Sequence, residues 1–385
     1  MVFARKVWRL LVAIKDGLVL LVMLLFFGAL YAALANRPSP AQVREGALLL
    51  RLKGPVVEEP EQVDPLTVLA SRSMPEAQFR ARDLVRALDA AATDSRIKAV
   101  ALDLTGFGGG GFVHMSEIGA ALDRVRAAKK PVLAYASLYD DDGVQLAAHA
   151  SEVWLNPLGA AYIRGPGGQT QYFKALLDRF KINVHVFRVG TYKDAVEPWE
   201  HDGMSDASRQ ARTAVLQTIF SQWREEVQRA RPKARLDLAI DHAVDTLRAS
   251  GGDAARAAQR AGLVDRLGDR VAFGQRLAEV VGKDTSDLRP GAFAHTGLAA
   301  WLAAHPVSTS GSGKIGVVTV AGEIVDGDAG PGVAGGDRIA DLLDSSATKD
   351  LAALVVRVDS PGGSVMASER IRTAIERIKV RGIPV

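Results

Sequence analysis

The chain has 385 residues, 48% hydrophobic and 24% charged, with a formal net charge of +4; this is a globular composition with room for one to three domains. No lysine- and arginine-rich block interleaved with aromatics occurs, which argues against nucleic acid as a partner. There is no cysteine, so disulfides, thiol catalysis and thiolate metal sites are excluded.

Residues 1–16 carry Arg5, Lys6, Arg9 and Lys15. Gly17 to Ala35 is an uncharged apolar run, and about 20 such residues span a hydrocarbon core. Basic residues before the run place the N-terminus in the cytoplasm. Ala33-Leu34-Ala35 matches a signal-peptide cleavage pattern, but the run exceeds the roughly 7–15 residues of a signal h-region. Residues 17–35 therefore read as an uncleaved transmembrane anchor.

Arg37-Pro-Ser-Pro40 breaks that helix, and a first unit over residues 41–304 follows. Ala99 to Leu104, Pro131 to Ala134, Val153 to Leu155 and Ile182 to Val189 read as strands, with helices such as Ser116 to Ala128 between them. Alternating strands and helices predict an α/β fold with a mostly parallel sheet. From Ser205 to Arg229 the pattern is helical, and Leu216, Ile219, Phe220, Trp223 and Val227 form one stripe of core or interface. Residues 305–313, with Ser308 to Gly313, read as a linker. A second unit covers residues 314–385, in which Gly327 to Gly336 reads as a mobile loop.

The second unit echoes the first. Ala374 to Val385 resembles Ala121 to Val132; Ile315 to Val325 resembles Leu48 to Glu58; Val356 to Val358 with Gly362-Gly363 resembles Leu102 to Leu104 with Gly108-Gly109. Three matches in one order predict a duplication. The second copy stops where the first runs on, so the chain is expected to hold one whole unit and the front of another.

Asp359-Ser-Pro-Gly-Gly-Ser364 lies between an apolar strand and a helix. Paired glycines there allow close backbone approach and leave N–H groups at a helix N-terminus. They suit a phosphate, an acyl-transfer oxyanion, or only a tight turn. Gly-Lys-Ser/Thr is missing, so this is no Walker loop. Ser364 is not in a Gly-x-Ser-x-Gly elbow, since Met366 occupies the last position, and a serine before a helix is commonly its cap. Lys193, in Gly190 to Trp199, follows the predicted strand Ile182 to Val189, where α/β active sites lie. Buried among apolar groups, a lysine acts as a general base; alone, it is ordinarily a solvated surface group. The seven histidines show no metal-ligand spacing, and nothing points to a Ser-His-Asp triad.

Arg188 to Trp199 and Arg357 to Glu369, together with the anchor and the duplication, resemble the long tandem-repeat signal peptide peptidases of bacteria, the protease IV group of peptidase family S49. The resemblance covers essentially the whole chain. It implies a Clp-protease/crotonase-like fold in each repeat and a Ser–Lys dyad that hydrolyses signal peptides and other extended apolar peptides. On it, Lys193 is the general base and Gly363 supplies an oxyanion-hole N–H. The catalytic serine of the family lies in an Ala-Ser-Gly-Gly-like turn after the strand that opens with Pro384-Val385, so the resemblance implies that the nucleophile is absent from this chain, with Ser364 as the alternative. In the first repeat Asp142 falls at the serine's place. The resemblance also implies no cofactor or metal, a homo-oligomer bound to membrane lipid, and a bacterial inner-membrane protein with its catalytic domains outside the cytoplasm. The isolated chain is expected to be poorly soluble and inactive. Two further expectations are a non-catalytic peptide-binding or assembly subunit, and a crotonase-type acyl-CoA enzyme, against which the anchor and the lysine motif argue.

Overall fold

The computed structural model describes residues 2–35, 43–60, 77–306, 314–330, 332–345, 348 and 350–385. In chain order the elements are α1 (Val2–Ala35), β1 (Gly46–Arg51), β2 (Val56–Val57), β3 (Phe79–Arg80), α2 (Ala81–Thr93), β4 (Ile97–Asp103), α3 (Gly111–Ala127), β5 (Val132–Tyr139), α4 (Asp141–Ala148) and β6 (Glu152–Ala161). Next come α5 (Lys174–Arg179), α6 (Glu197–Glu200), α7 (Asp206–Ala230), a π-helical turn (Asp237–Asp241), α8 (Ala243–Ala249), α9 (Ala254–Arg260), β7 (Arg266–Leu267), α10 (Arg270–Val281), β8 (His295–Gly297) and α11 (Leu298–Ala304). The last are β9 (Lys314–Ala321), β10 (Ile324–Val325), β11 (Ala334–Gly335), α12 (Gly336–Asp344), β12 (Leu351–Asp359) and α13 (Val365–Val380).

The helix α1 has no proline to interrupt it and runs on through the basic segment that the sequence sets apart; Lys15 and Asp16 pair along it at 3.0 Å. Its Val7–Gly28 stretch is long and apolar enough to cross a membrane, and side chains such as Leu18, Leu24 and Phe26 are exposed. The predicted break at Arg37 to Pro40 and the linker residues 307–313 lie outside the described residues.

The chain divides into two compact units. One comprises Met1–Leu52, Asp83–Thr105 and Gly111–Pro306; the other comprises Lys53–Arg82, Gly106–Gly110 and Val307–Val385. The first is built on a six-stranded sheet of order β7-β6-β5-β4-β1-β8, parallel throughout. Parallel strands are covered on both faces and so read as continuous apolar runs. Ala47 to Leu50, Ala99 to Leu102 and Val132 to Ala136 are such runs, buried at every position. On one face Leu49, Ala101, Leu133, Tyr135 and Trp154 pack on Phe273 and Leu277 of α10. The alternate residues Leu48, Leu50, Val100 and Leu102 point the other way and are equally buried.

Ile182 to Val189 is not a strand. It has no ladder partner among the described residues, and Phe187 and Val189 are 95% and 87% exposed. Its β-branched alternation describes what the segment could pair with; a strand needs the neighbour as well.

The second unit pairs β9 with β12, β10 with β11 and β2 with β3, each in parallel. Helices α12 and α13 close a core of Val318, Val320, Ile339, Leu343, Leu354, Ile371 and Ile378. Ile315, Val317 and Val355, on alternate strand positions, are half or more exposed. The Gly327 to Gly336 run ends in order: Ala334 and Gly335 form β11, and Arg338 donates to the Ala329 and Val333 carbonyls at 2.8 and 3.0 Å.

The units share a backbone detail. Val100 N–H donates to the Pro131 carbonyl at 2.9 Å, where β5 begins beside β4. Leu354 N–H donates in the same way to the Pro384 carbonyl at 2.8 Å, beside β12.

Candidate active site

Lys193 stands on a loop that carboxylates fix to the first turn of α7. Gly190, at φ 108°, makes a turn that a side chain would strain. Lys193 N–H then donates to the Gly190 carbonyl at 3.3 Å, and the Lys193 carbonyl accepts from Arg188 Nη1 at 2.9 Å. Asp194 Oδ2 accepts from Ser208 Oγ at 2.5 Å and Arg212 Nε at 3.1 Å, and these two groups hold its carboxyl below the usual range. Glu197, 2% exposed, accepts from the Ser205 hydroxyl and, at 3.2 Å, the Ser205 N–H. The hydroxyl bond is the main reason its carboxyl is also held low. Ser205 in turn caps α7, accepting Ser208 N–H at 3.2 Å.

The Lys193 side chain itself is exposed rather than buried. No described residue forms an ion pair with it. It lines a cleft of about 640 Å³ whose other walls are Val186, Phe187, Arg188, Val189, Ala195 and Val196. Apart from Arg188, those walls are apolar.

Gly363 and Ser364 sit in one turn of the second unit. Ile324 N–H donates to the Gly362 carbonyl at 2.9 Å, and Ser364 N–H to the Ile324 carbonyl at 2.8 Å. In a parallel bridge of this kind the residue between, Gly363, directs its own N–H away from the neighbouring strand. A Cβ on Gly363 would lie 2.0 Å from the Ile324 carbonyl oxygen, so the close approach excludes any side chain. Ser364 is the N-cap of α13: its Oγ accepts Ala367 N–H at 3.3 Å and donates to Asp326 Oδ1 at 2.5 Å. Gly54, Gly106 and Gly108 repeat the bridge, with bonds of 2.9 and 3.0 Å.

Asp142 lies in the first turn of α4, where its Oδ2 accepts Gly111 N–H at 2.8 Å. The neighbouring carboxylates are also engaged with backbone: Asp140 with Gly143 N–H, Asp141 with Arg164 and Gly165 N–H. Burial raises the Asp140 pKa.

Two polar groups, His149 buried and Lys130 half-buried, have no local signature in the sequence. His149 lies between Asp123 (2.9 Å) and Glu226 (3.2 Å), in contact with Gly119, where a Cβ would fall 2.5 Å from its Nε2. Ser116 donates to Glu226 at 2.5 Å and not to His149, so a serine, a histidine and two carboxylates meet without forming a nucleophile–base pair. Lys130 is held low by burial, but its ammonium donates to the Ala91 and Asp94 carbonyls at 2.6 Å each and so closes the end of α2. Among the described residues no cluster of three or more potential metal ligands occurs.

A family model described as "Peptidase family S49" matches residues 124–283. Protease 4 of Salmonella typhi is 32% identical over an alignment taking in 100% of this chain and 63% of that protein. Protease 4 of Haemophilus influenzae is 33% identical, over 98% of the chain and 63% of that protein. The chloroplastic serine protease SPPA of Arabidopsis thaliana is 24% identical over 72% of the chain and 41% of its own length. The chain thus spans 63% of the length of the two Protease 4 relatives. Among solved structures, an enoyl-CoA hydratase/isomerase family protein from Silicibacter pomeroyi matches 63% of this chain and 80% of its own, at 15% identity and a TM-score of 0.27. The S49 match spans the Lys193 loop, and similarity to the Protease 4 relatives runs along essentially the whole length of the chain.

Proposed function

We propose that the protein to which this chain belongs is a membrane-anchored serine peptidase that hydrolyses extended apolar peptides, spent signal peptides among them. The observation that carries the reading is the place of Lys193: a pinned loop within the S49-matched segment, beside a largely apolar cleft. As general base it takes the proton of a serine hydroxyl while that oxygen attacks the peptide carbonyl. An N–H directed into the site then holds the oxyanion. Gly363 N–H suits that role, because the bridge to Ile324 uses the Gly362 carbonyl and the Ser364 N–H and leaves it out.

Ser364 is not assigned as the nucleophile, since its hydroxyl is spent on a cap and on Asp326. Asp142 supports a first repeat that has lost its serine, its carboxylate filling that turn and taking Gly111 N–H. The paired contacts Val100–Pro131 and Leu354–Pro384 support the duplication. In this reading residues 41–304 form the first repeat, 305–313 a linker, and 314–385 belong to the second. The α1 helix anchors the protein in a bacterial inner membrane with its N-terminus in the cytoplasm. The exposed Ile315, Val317 and Val355 mark an apolar sheet face that suits burial against further protein.

Labelling the whole protein with a fluorophosphonate tests the reading. A single labelled serine other than Ser364, with labelling lost in Lys193→Ala, is expected. No label, or label on Ser364, would contradict it.

A further inference from the structure

The carboxyl end of the first unit's sheet holds a second cavity, of about 270 Å³, which the peptidase chemistry does not use. Asp103, the last residue of β4, is 2% exposed and lines it. Its carboxylate takes Arg270 Nη1 at 2.5 Å and Nη2 at 3.2 Å, with Arg51 Nε at 3.3 Å and Thr105 N–H at 3.1 Å. One buried anion therefore meets two guanidinium groups, and one positive charge is left over. Arg289, at the rim, is matched by Asp287 through bonds of 2.9 and 2.6 Å and does not alter that balance.

Both guanidinium groups are about half exposed, at 52% for Arg51 and 50% for Arg270. Arg270 lies over the Tyr135 ring, 5.5 Å from its centroid, so its plane is fixed before any ligand arrives. Leu49, Phe273 and Phe293 give the cavity apolar walls, and His295 lines it beside the Asp287–Arg289 pair. The start of α10 is not the attraction, because Asp269 already caps it by accepting Ala272 N–H at 2.8 Å.

We propose that this cavity binds a small monocarboxylate bearing an apolar side chain. The carboxylate neutralises the surplus charge of Arg51 and Arg270, and the Nη edge of Arg51, which meets Asp103 only through Nε, matches its two oxygens. The side chain enters between Leu49, Phe273 and Phe293. A single surplus charge favours a monoanion over a phosphate. Ligands of open parallel sheets bind at the carboxyl ends of the strands, which is where Arg51 and Asp103 stand. The inference does not rest on the peptidase reading, because binding is measured with no peptide bond cleaved.

The test is a titration of the full chain, in lipid nanodiscs, with N-acetyl-phenylalanine and with its uncharged amide, followed by ligand-observed NMR. Saturable binding of the acid is expected, at least about tenfold tighter than the amide. Arg51→Gln, at an exposed position, is expected to weaken the acid by about tenfold or more while leaving the melting temperature close to the parent's. Val271→Trp, at a 39% exposed position on the cavity wall, is expected to block binding by filling the space. Equal binding of acid and amide, undiminished binding by a folded Arg51→Gln or Val271→Trp protein, or no saturable binding of the acid would each overturn the proposal.

Discussion

Ser364 donates its hydroxyl proton to Asp326 across 2.5 Å while the same oxygen accepts Ala367 N–H at 3.3 Å. Both directions of the hydroxyl are used, and the second is a helix cap. Ser364→Ala is expected to cost about 1 kcal/mol of stability, the usual worth of an N-cap, while peptide hydrolysis by the whole protein persists. Chemical denaturation and a peptide assay on the same preparation check both halves.

The neighbouring glycine is predicted to behave differently. Gly363→Ala drives a Cβ to 2.0 Å from the Ile324 carbonyl oxygen, whereas a Cβ on Gly362 meets nothing within 4 Å and only its φ of 105° is strained. Gly362→Ala should cost about 1–2 kcal/mol through that backbone strain. Gly363→Ala should cost more, because the β10 contact must open. Thermal melts rank the pair, and a less stable Gly362→Ala would count against the bridge geometry.

His149 makes the stability of the first unit pH-dependent. Burial opposes its charge, but hydrogen bonds to Asp123 and Glu226 outweigh burial and raise its pKa above the ordinary 6.5. Glu226 is pushed up by burial and pulled down further by His149, Ser116 and Gln145, so it ends below its ordinary 4.5. Arg126 also faces the cluster, bonding Asp123 and the His149 carbonyl at 3.3 Å each. The histidine's contribution is fully present below pH 6.5 and is lost as pH rises through its folded value. The glutamate's is present above pH 4.5 and is lost as pH falls through its folded value. The cluster therefore stabilises most between those limits. Urea midpoints across pH 4–9 should fall on both sides, and His149→Gln should remove the alkaline slope.

Glu197 holds the lysine loop to α7 through Ser205. Glu197→Ala leaves Ser205 without its acceptor and removes one of the two carboxylates beside Arg188, Glu200 at 3.6 Å remaining. A loss of about 1–3 kcal/mol is expected, the cost of unmaking buried hydrogen bonds. Hydrogen exchange should quicken across residues 190–200 before the sheet is affected. Unchanged exchange there would mean the loop is held by other contacts.

The strands of the central sheet are legible because each is buried on both faces, so Ala99 to Leu102 reads as an unbroken apolar run. Ser205 is likewise legible as the start of α7. Ile182 to Val189 misleads for the converse reason: its side-chain pattern is strand-like, but pairing depends on a neighbour that no local pattern encodes. The His149 cluster draws on three helices, and Arg270 meets Asp103 across 167 residues of sequence. Such groups carry no spacing rule, and only the folded sheet brings them together. Lys193 and Gly363 stand out in the sequence because each follows a strand-like run at a glycine turn.

The most direct measurement is kcat/KM of the whole protein on an apolar peptide with Lys193→Met, set beside its melting temperature. Loss of the general base predicts a fall of roughly 10²–10⁴-fold or more. The melting temperature should hardly move, because the Lys193 side chain is exposed and unpaired. Hydrolysis at the parent rate by a folded Lys193→Met protein would contradict the account.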